Sequence, residues 1–252
     1  MAKYAFRDAN RKNVVYATSA MREDRDKIFF CPNPACTAQL CICAIDGSRD
    51  AYFRATKPGF PHIPGCSFGS KETDFDKNKF SEEEFVFDNA IDSLCVVTDK
   101  RGKSCVSSGH NTGKVKKHPP RTLRQIYSLC KSYPITDTYN DKKLGEMILD
   151  DRSIKWYPKG CFGYKIIEAI VKGKIYDDIK RQIYLKAPIT SKKYSIVLQF
   201  EDDILYKDIR TEIYNNSNKI IVIAGKWEKS ASYNCFQTKM YGRKQLTVIK
   251  TN

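Results

Sequence analysis

The sequence predicts an α+β protein made of a small cysteine-rich β-hairpin domain, a helical segment and a five-stranded β-barrel. Three observations support this fold class. Five of the ten cysteines lie before residue 70, among short alternating strand patterns. Apolar residues then recur at helical spacing after residue 80, and residues 161–252 show three strand patterns, a helix and two further strands. We therefore predict three domains, at 1–73, 74–160 and 161–252.

The composition favours a folded protein with a polyanionic partner. Hydrophobic residues make up 41% of the 252, a folding composition rather than a disordered one. The chain carries 44 Lys and Arg against 29 Asp and Glu, and this net charge of +15 attracts polyanions. It also holds 15 Tyr and 13 Phe, more than a core of this size needs. Together these features indicate a nucleic-acid partner, with a merely solubilising basic surface as the alternative.

Neither a membrane nor an oxidising compartment fits the sequence. No stretch approaches the roughly 20 apolar residues that a membrane span needs. The first 13 residues carry charges throughout and no apolar segment, which argues against a signal peptide. We therefore expect a cytoplasmic protein without a membrane partner. Its reduced cysteines would serve as metal ligands or as small buried apolar side chains.

Two paired motifs predict a metal site. Cys31-x4-Cys36 follows an apolar strand pattern directly, and His62-x3-Cys66 comes later in the same domain. Three thiolates and one imidazole are a common ligand set for tetrahedral Zn²⁺. Four protein ligands leave no open coordination position, so the ion would hold the fold and not activate water. The alternative is a set of unconnected buried cysteines with a surface histidine. Two further cysteines compete for a ligand position: Cys41 and Cys43.

The N-terminal motifs resemble the CoiA-like zinc-binding domain of competence proteins and related mobile-element proteins. The matching parts are a hairpin strand at 14–17, the knuckle at 31–36, an aromatic-Phe-Arg segment at 52–54 and the closing element at 62–66. They span about a quarter of the chain, and the knuckle is two residues longer than in that family. The resemblance implies a DNA-associated role in a mobile-element, competence or phage-defence context. CoiA-like proteins commonly continue into a nuclease-like domain, which is not recognisable in this sequence.

The segment between the two β domains is predicted to be helical. Ser81 and the three glutamates after it resemble an N-cap with an acidic first turn, so we predict a helix over 81–95 that packs across the zinc domain. Two shorter helices are predicted at 122–130 and 144–149. A basic linker at 99–120 lacks periodicity and is predicted to be an exposed connection.

The C-terminal domain shows the strand order of an OB-fold. This fold is a five-stranded Greek-key barrel whose helix lies between the third and fourth strands. Gly173 interrupts the first predicted strand, as a glycine often does where a strand bends at a barrel corner. A generic α+β sandwich is the alternative. The predicted strands are 164–176, 180–186, 194–200, 219–227 and one within 239–249, with a helix at 202–214.

These features predict a nucleic-acid-binding protein, with single strands favoured over duplex. OB barrels bind single-stranded DNA or RNA with a basic groove and aromatic rings on which bases stack. Trp227 ends an apolar strand pattern, where its ring could leave the core and meet a base. The candidate binding residues combine positive charge with aromatic rings on or beside the predicted strands: Lys165, Lys172, Arg181, Lys226, Trp227, Lys239, Tyr241, Arg243 and Lys244.

Two other functions compete with this prediction. A protein-interaction adaptor could use the same modules to dock a partner protein, because a fold does not settle function. A metal-dependent nuclease would need an Asp followed by Glu-x-Lys on an adjacent strand. The acidic residues at 150–151, 177–178 and 201–203 are not followed by that pattern. We therefore expect no catalysis and assign no catalytic residue.

Overall fold

The computed structural model describes residues 2–46, 50–69, 75, 79–96 and 117–250. Four α-helices and fifteen short or long strands within these residues confirm the α+β class. The described part of the chain packs around three hydrophobic clusters, one within the N-terminal region and two that each combine residues of 74–160 with residues of 161–252. Most of the predicted basic linker 99–120 lies outside the described residues. No helix in the described ranges is both long enough and apolar enough to span a membrane.

The N-terminal module is one antiparallel sheet with strand order β2-β1-β3-β4-β5. The strand patterns at 13–17 and 27–30 are confirmed as strands, although both strands are shorter than the patterns. Buried apolar side chains from all five strands form its own hydrophobic cluster. A bridge between Ala2 and Phe53 brings the start of the chain next to the last strand. The strands are β1 (Tyr4–Phe6), β2 (Val14–Tyr16), β3 (Phe29–Phe30), β4 (Gln39–Cys43) and β5 (Tyr52–Ala55).

The middle segment holds three helices, and two of them differ from the prediction. α1 begins at Phe87 instead of Ser81, because the Ser81 backbone N–H donates to the carbonyl of His118 and Val86 is extended. The predicted helix at 144–149 turns into a strand after Met147. α2 is confirmed, with Thr122 accepting a hydrogen bond from the Gln125 N–H as its N-cap. The elements are α1 (Phe87–Leu94), α2 (Leu123–Ser132), β6 (Thr138–Tyr139), β7 (Lys142–Lys143), α3 (Leu144–Met147) and β8 (Ile148–Leu149).

The C-terminal region differs from the predicted three strands, helix and two strands, because four strands precede its helix and three follow it. The predicted strand 164–176 is two strands, which end at Ala169 and begin again at Tyr176. The predicted strand within 239–249 is present at Leu246–Ile249, and a further strand at Cys235–Met240, which was not predicted, precedes it across a 3-10 turn at Arg243–Gln245. The elements are β9 (Gly163–Ala169), β10 (Tyr176–Asp177), β11 (Gln182–Ala187), β12 (Tyr194–Phe200), α4 (Asp203–Asn215), β13 (Ile220–Lys229), β14 (Cys235–Met240) and β15 (Leu246–Ile249).

The C-terminal sheet has eight strands in the order β10-β11-β12-β14-β13-β9-β8, with β15 paired to β13. β11 pairs with β12, β12 runs parallel to β14, and β14, β13 and β9 follow as antiparallel neighbours. Just beyond β9, the Ile170 N–H donates to the Lys186 carbonyl of β11, and the Lys186 N–H donates to the Ile170 carbonyl, both at 2.9 Å. The strands and α4 pack around one hydrophobic cluster, to which α4 contributes Tyr206, Ile209 and Ile213.

A buried group of charged side chains joins the three regions of the chain. We call Lys131, Asp150, Arg152 and Glu168 the central ionic cluster. Lys131 Nζ lies 2.8 Å from an Asp150 carboxylate oxygen and 2.9 Å from a Glu168 oxygen, and Arg152 Nε donates to Asp150 at 2.8 Å. Arg152 also donates to the hydroxyl of Tyr4 in β1. The predicted boundary at 160/161 stays a prediction, but these contacts and the β8–β9 pairing cross it.

Candidate metal centre and nucleic-acid interface

The structure brings the four predicted metal ligands into one buried group. One ligand atom from each of Cys31, Cys36, His62 and Cys66 lies within 4.8 Å of all the others. The Cys31 and Cys66 sulfurs are 3.7 Å apart, and Cys36 Sγ is 3.5 Å from Nδ1 of His62. All three cysteines are buried. This Cys₃His group could hold a metal ion, and it has the donor set of a closed tetrahedral site.

The competing cysteines lie outside this group. Cys41 and Cys43 occupy the same face of β4, as their spacing predicts, and both are half-exposed. The sulfur of Cys43 contacts the backbone carbonyl of Cys41 and not the metal group. Neither residue therefore takes a ligand position in this structure.

Two residues that the sequence analysis missed hold the knuckle in shape. The guanidinium of Arg11 donates hydrogen bonds to the carbonyls of Cys31, Asn33 and Cys36, at 2.7–3.0 Å. Asn33 accepts from the Ala35 N–H at 2.9 Å and its amide contacts the Cys66 sulfur at 3.9 Å. Partners of this kind orient metal ligands. No spacing rule links residue 11 to the knuckle, so only the fold reveals its role.

The electrostatics of the group favour a cation at its centre. Burial raises the pKa of the Cys31 thiol well above its ordinary value. Hydrogen bonds from Cys31 and Cys66 hold the pKa of Cys36 below its ordinary value. Without a metal ion, the site therefore favours the thiolate form of Cys36 and disfavours the thiolate form of Cys31. A divalent ion would neutralise this charge and allow all three sulfurs to bind as thiolates.

A groove of about 450 Å³ opens on the outer side of the C-terminal sheet. Four of its lining side chains carry rings or positive charge: Tyr164, Lys226, Lys239 and Tyr241. Lys226 Nζ lies 5.8 Å from the centre of the Tyr164 ring, and the Tyr164 hydroxyl donates to Asp92. Lys239 Nζ pairs with Glu201 at 3.0 Å. Three predicted binding residues therefore share one groove with Tyr164, which the sequence analysis did not select for the site.

The groove continues onto β11 and β12 as a polar surface. A second depression shares Gln199, Lys239 and Tyr241 with the groove and adds Lys180 and Gln182. Gln199 donates an amide hydrogen bond to Gln237 at 3.0 Å, so the glutamines form a row across neighbouring strands. We call the outward side of β11, β12, β14 and the end of β13 the outer face.

The other exposed predicted residues do not line the groove. Arg181 stands at one end of β11 and donates to the carbonyl of Glu201 at 2.8 Å. Lys172 is exposed between β9 and β10. Arg243 pairs with Asp208 and Glu212 of α4, at 3.4 and 3.1 Å. Lys244, beside it in the 3-10 turn, is exposed. Arg181 and Lys239 therefore both contact Glu201, whereas none of these four residues is among those that line the groove or the second depression.

The prediction that Trp227 stacks on a base is wrong. Its ring is 1% exposed and belongs to the hydrophobic cluster around which the strands and α4 pack. The indole N–H donates to the Lys165 carbonyl at 3.1 Å, so its polar atom is satisfied inside the protein. Lys165 faces the same inner side, because it pairs with Gly225 while Tyr164 pairs with Lys226. Burial lowers the pKa of Lys165. Neither residue lines the groove.

This correction has a direct test. Trp227→Phe keeps most of the buried volume but leaves the Lys165 carbonyl without its indole donor. We expect the free energy of unfolding to fall by about 1–2 kcal/mol, the usual effect of a lost buried hydrogen bond. Urea unfolding measures this change. Trp227→Leu removes the aromatic ring altogether, and the single-strand affinity of its folded fraction should equal that of the wild type; a selective loss of affinity would restore the stacking role.

The acidic residues considered for a nuclease are engaged in other interactions. Asp150 belongs to the central ionic cluster. Asp202 caps α4 by accepting from the Leu205 N–H at 2.8 Å, and Asp203 pairs with Lys207. Within the described residues, the Cys₃His group alone gathers three or more potential metal ligands. Comparison of the chain with protein-family models, curated proteins and solved structures finds no match.

Proposed function

We propose that this chain binds single-stranded nucleic acid across the outer face, and that a structural zinc ion stabilises its N-terminal module. One observation carries the proposal. Tyr164, Lys226, Lys239 and Tyr241, from three neighbouring strands and the residue after β14, line the same groove. Rings and lysines in one groove supply the two contacts that single strands need, base stacking and phosphate neutralisation.

The strand order supports an OB-like reading of the C-terminal region. Within the eight-stranded sheet, β11, β12, β14, β13 and β9 are successive neighbours, and α4 connects β12 to β13. The bridge between Ile170 and Lys186 links the chain just beyond β9 to β11. OB-folds bind oligonucleotides and oligosaccharides on the face of their second and third strands. Here those strands are β11 and β12, and the outer face includes both.

The chemistry of the outer face favours a single strand over a duplex. The glutamine row of Gln182, Gln199 and Gln237 offers donors and acceptors that match exposed base edges. A single strand presents these edges, whereas a duplex pairs them internally. The outer face should accept strands of different nucleotide sequence, because a side-chain amide can hydrogen-bond to any base and an aromatic ring can stack on any base.

Zinc is the metal that the Cys₃His group fits best. Three sulfurs and one imidazole nitrogen select Zn²⁺ over Mg²⁺ or Ca²⁺, which prefer oxygen ligands. Four protein ligands leave no position for water, so the role is structural. Free thiolates require a reducing compartment, in keeping with a cytoplasmic protein. The CoiA-like resemblance supports a mobile-element, competence or phage-defence setting.

Paired variants of the outer face test the binding site. Tyr241→Ala should weaken binding of a fluorescein-labelled oligothymidylate by about tenfold, because a stacked base contributes roughly 1–3 kcal/mol. Lys226→Gln should weaken binding less and should reduce its salt dependence. Fluorescence anisotropy at low salt measures both affinities. Matched controls are Tyr214→Ala and Lys57→Gln, which change an exposed tyrosine on α4 and an exposed lysine in the N-terminal module.

The controls decide the outcome. Both should bind like the wild type. If Tyr241→Ala and Lys226→Gln also bind like the wild type, the groove is not the interface. Equal losses in variants and controls would indicate attraction by net charge without a defined site.

A further inference from the structure

A second cleft of about 470 Å³ lies between the N-terminal module and the loops that follow α2 and β8. One wall is the sheet face presented by β1 and β2. The other wall comes from residues 134–137 and 151–155. Its volume is in the range of ligand pockets, which occur preferentially between domains. The apolar side chains that line it include Phe6, Val14, Tyr16, Pro134, Ile135 and Ile154.

The polar groups within the cleft already have partners. The hydroxyl of Tyr16 donates to Asp137 at 2.7 Å, and the hydroxyl of Tyr4 accepts from Arg152 at 2.7 Å. Asp151 accepts from the backbone N–H and the hydroxyl of Thr190. Among the described residues, no buried side-chain nitrogen or oxygen lacks a hydrogen-bond partner. The cleft therefore offers apolar contact and few new hydrogen bonds.

Positive charge dominates the lining. Four cations, Arg11, Lys12, Arg152 and Lys155, stand against two carboxylates, Asp137 and Asp151. Arg11 already donates hydrogen bonds to the knuckle carbonyls, and Arg152 already belongs to the central ionic cluster. Lys12 and Lys155 are exposed, and neither forms an ion pair with another described residue. Negative charge on a ligand would meet these two ammonium groups at the edge of an apolar cleft.

We propose that this cleft binds a short peptide of a partner protein that inserts an apolar side chain and carries carboxylates beside it. A nucleobase suits the cleft less well, because its polar edge would be buried without matching donors and acceptors. An aliphatic or aromatic side chain carries no such cost. The flanking carboxylates of the peptide complement the charges of Lys12 and Lys155. This complementarity favours acidic partners over basic ones. The site is separate from the outer face, so the two functions can fail independently.

The first test uses 8-anilinonaphthalene-1-sulfonate, a probe with an apolar aromatic body and one negative charge. We expect a fluorescence increase that saturates at one probe per chain. Lys155→Glu reverses a charge at the cleft and should weaken this binding by about tenfold or more. Lys159→Glu is the control, because Lys159 is also exposed but does not line the cleft. Equal affinity of the two variants, or no saturable binding at all, would overturn the proposal.

A second variant tests the apolar wall. Val14→Glu introduces a carboxylate on half-buried Val14, and Val86→Glu makes the same change at an exposed position outside the cleft. Melting temperature and zinc content report whether each variant folds. Loss of probe binding in folded Val14→Glu alone supports the cleft. Unchanged binding in Val14→Glu contradicts it.

Displacement identifies the class of partner. The peptide acetyl-Glu-Glu-Phe-Leu-Glu-Glu-amide should displace the probe, and its analogue with lysine in place of glutamate should not. An oligothymidylate should bind the outer face and leave the probe in place. Displacement by the oligothymidylate, or failure of the acidic peptide, would reject the peptide assignment. Either result leaves the nucleic-acid proposal to its own test.

Discussion

Cys36→Ser is expected to abolish metal binding and to unfold the N-terminal module. Cys36 supplies one of four ligand atoms within 4.8 Å of one another, and its sulfur lies 3.5 Å from Nδ1 of His62. Structural zinc contributes on the order of 10–16 kcal/mol of binding free energy to small domains at neutral pH. The short strands of this module and its few buried aromatic rings cannot replace that contribution.

Metal content and melting temperature measure the effect. The wild type should carry about one zinc per chain, and a strong chelator should lower its melting temperature. Cys41→Ser is the matched control, because Cys41 lies nearby on β4 but outside the ligand group. It should retain the metal. Metal-free wild type that melts unchanged, or equal metal loss in both variants, would refute the zinc site.

Asp150→Asn is expected to destabilise the whole described fold by about 3–5 kcal/mol, the usual result when one partner of a buried ion pair is removed. The Asp150 carboxylate is 1% exposed and accepts from both Lys131 and Arg152. An asparagine at this position would leave Lys131 and Arg152 without the negative charge that they share. Its amide N–H₂ group is itself a donor and cannot accept the hydrogen bonds of those two side chains. Because the cluster touches all three regions, the loss should affect global unfolding.

Chemical denaturation compares this variant with Asp151→Asn, the neighbouring position. Asp151 is half-exposed and bonds only to Thr190 among the described residues, so its replacement should cost about 1 kcal/mol or less. Equal stability of the two variants would show that the central ionic cluster contributes nothing to the fold.

The pH dependence of stability follows from the same cluster. Burial alone would raise the pKa of Asp150, but the charges of Arg152 and Lys131 outweigh it and hold the pKa below its ordinary value. A lowered pKa means that this stabilisation is present above the ordinary aspartate pKa near 4 and is lost as the pH falls through the folded-state value. Asp150→Asn and the wild type should therefore differ most at neutral pH and least in strong acid.

The metal ligands could be predicted from the sequence because the chemistry is local. Two short motifs contain all four ligands, and the residue types alone suggest zinc. Arg11 could not be predicted, since it reaches the knuckle carbonyls through the packing of the β1–β2 connection against the loop. The central ionic cluster is equally hidden, because its members are up to 37 residues apart in the chain, from Lys131 to Glu168.

The sequence contains a pattern that places Trp227 in the core, and the sequence analysis overlooked it. Side chains alternate sides along a strand, so Trp227 shares a side with Ile221 and Ile223, which lie in the core. The sequence analysis ended the strand at Trp227, but β13 continues to Lys229 and keeps the ring inside. Lys226, one residue away, faces outward by the same rule. The helix between strands was predictable, whereas the number of strands on each side of it was not, because β10 and β15 are only two and four residues long.

The most direct measurement of the central proposal is a fluorescence anisotropy titration of the wild type with a labelled oligothymidylate and with a duplex, across a salt series. The account predicts tighter binding of the single strand, with the logarithm of the affinity falling linearly with the logarithm of the salt concentration by about 0.7 for each neutralised phosphate. A protein that fails to bind the single strand at low salt, or that binds the duplex more tightly, would contradict it.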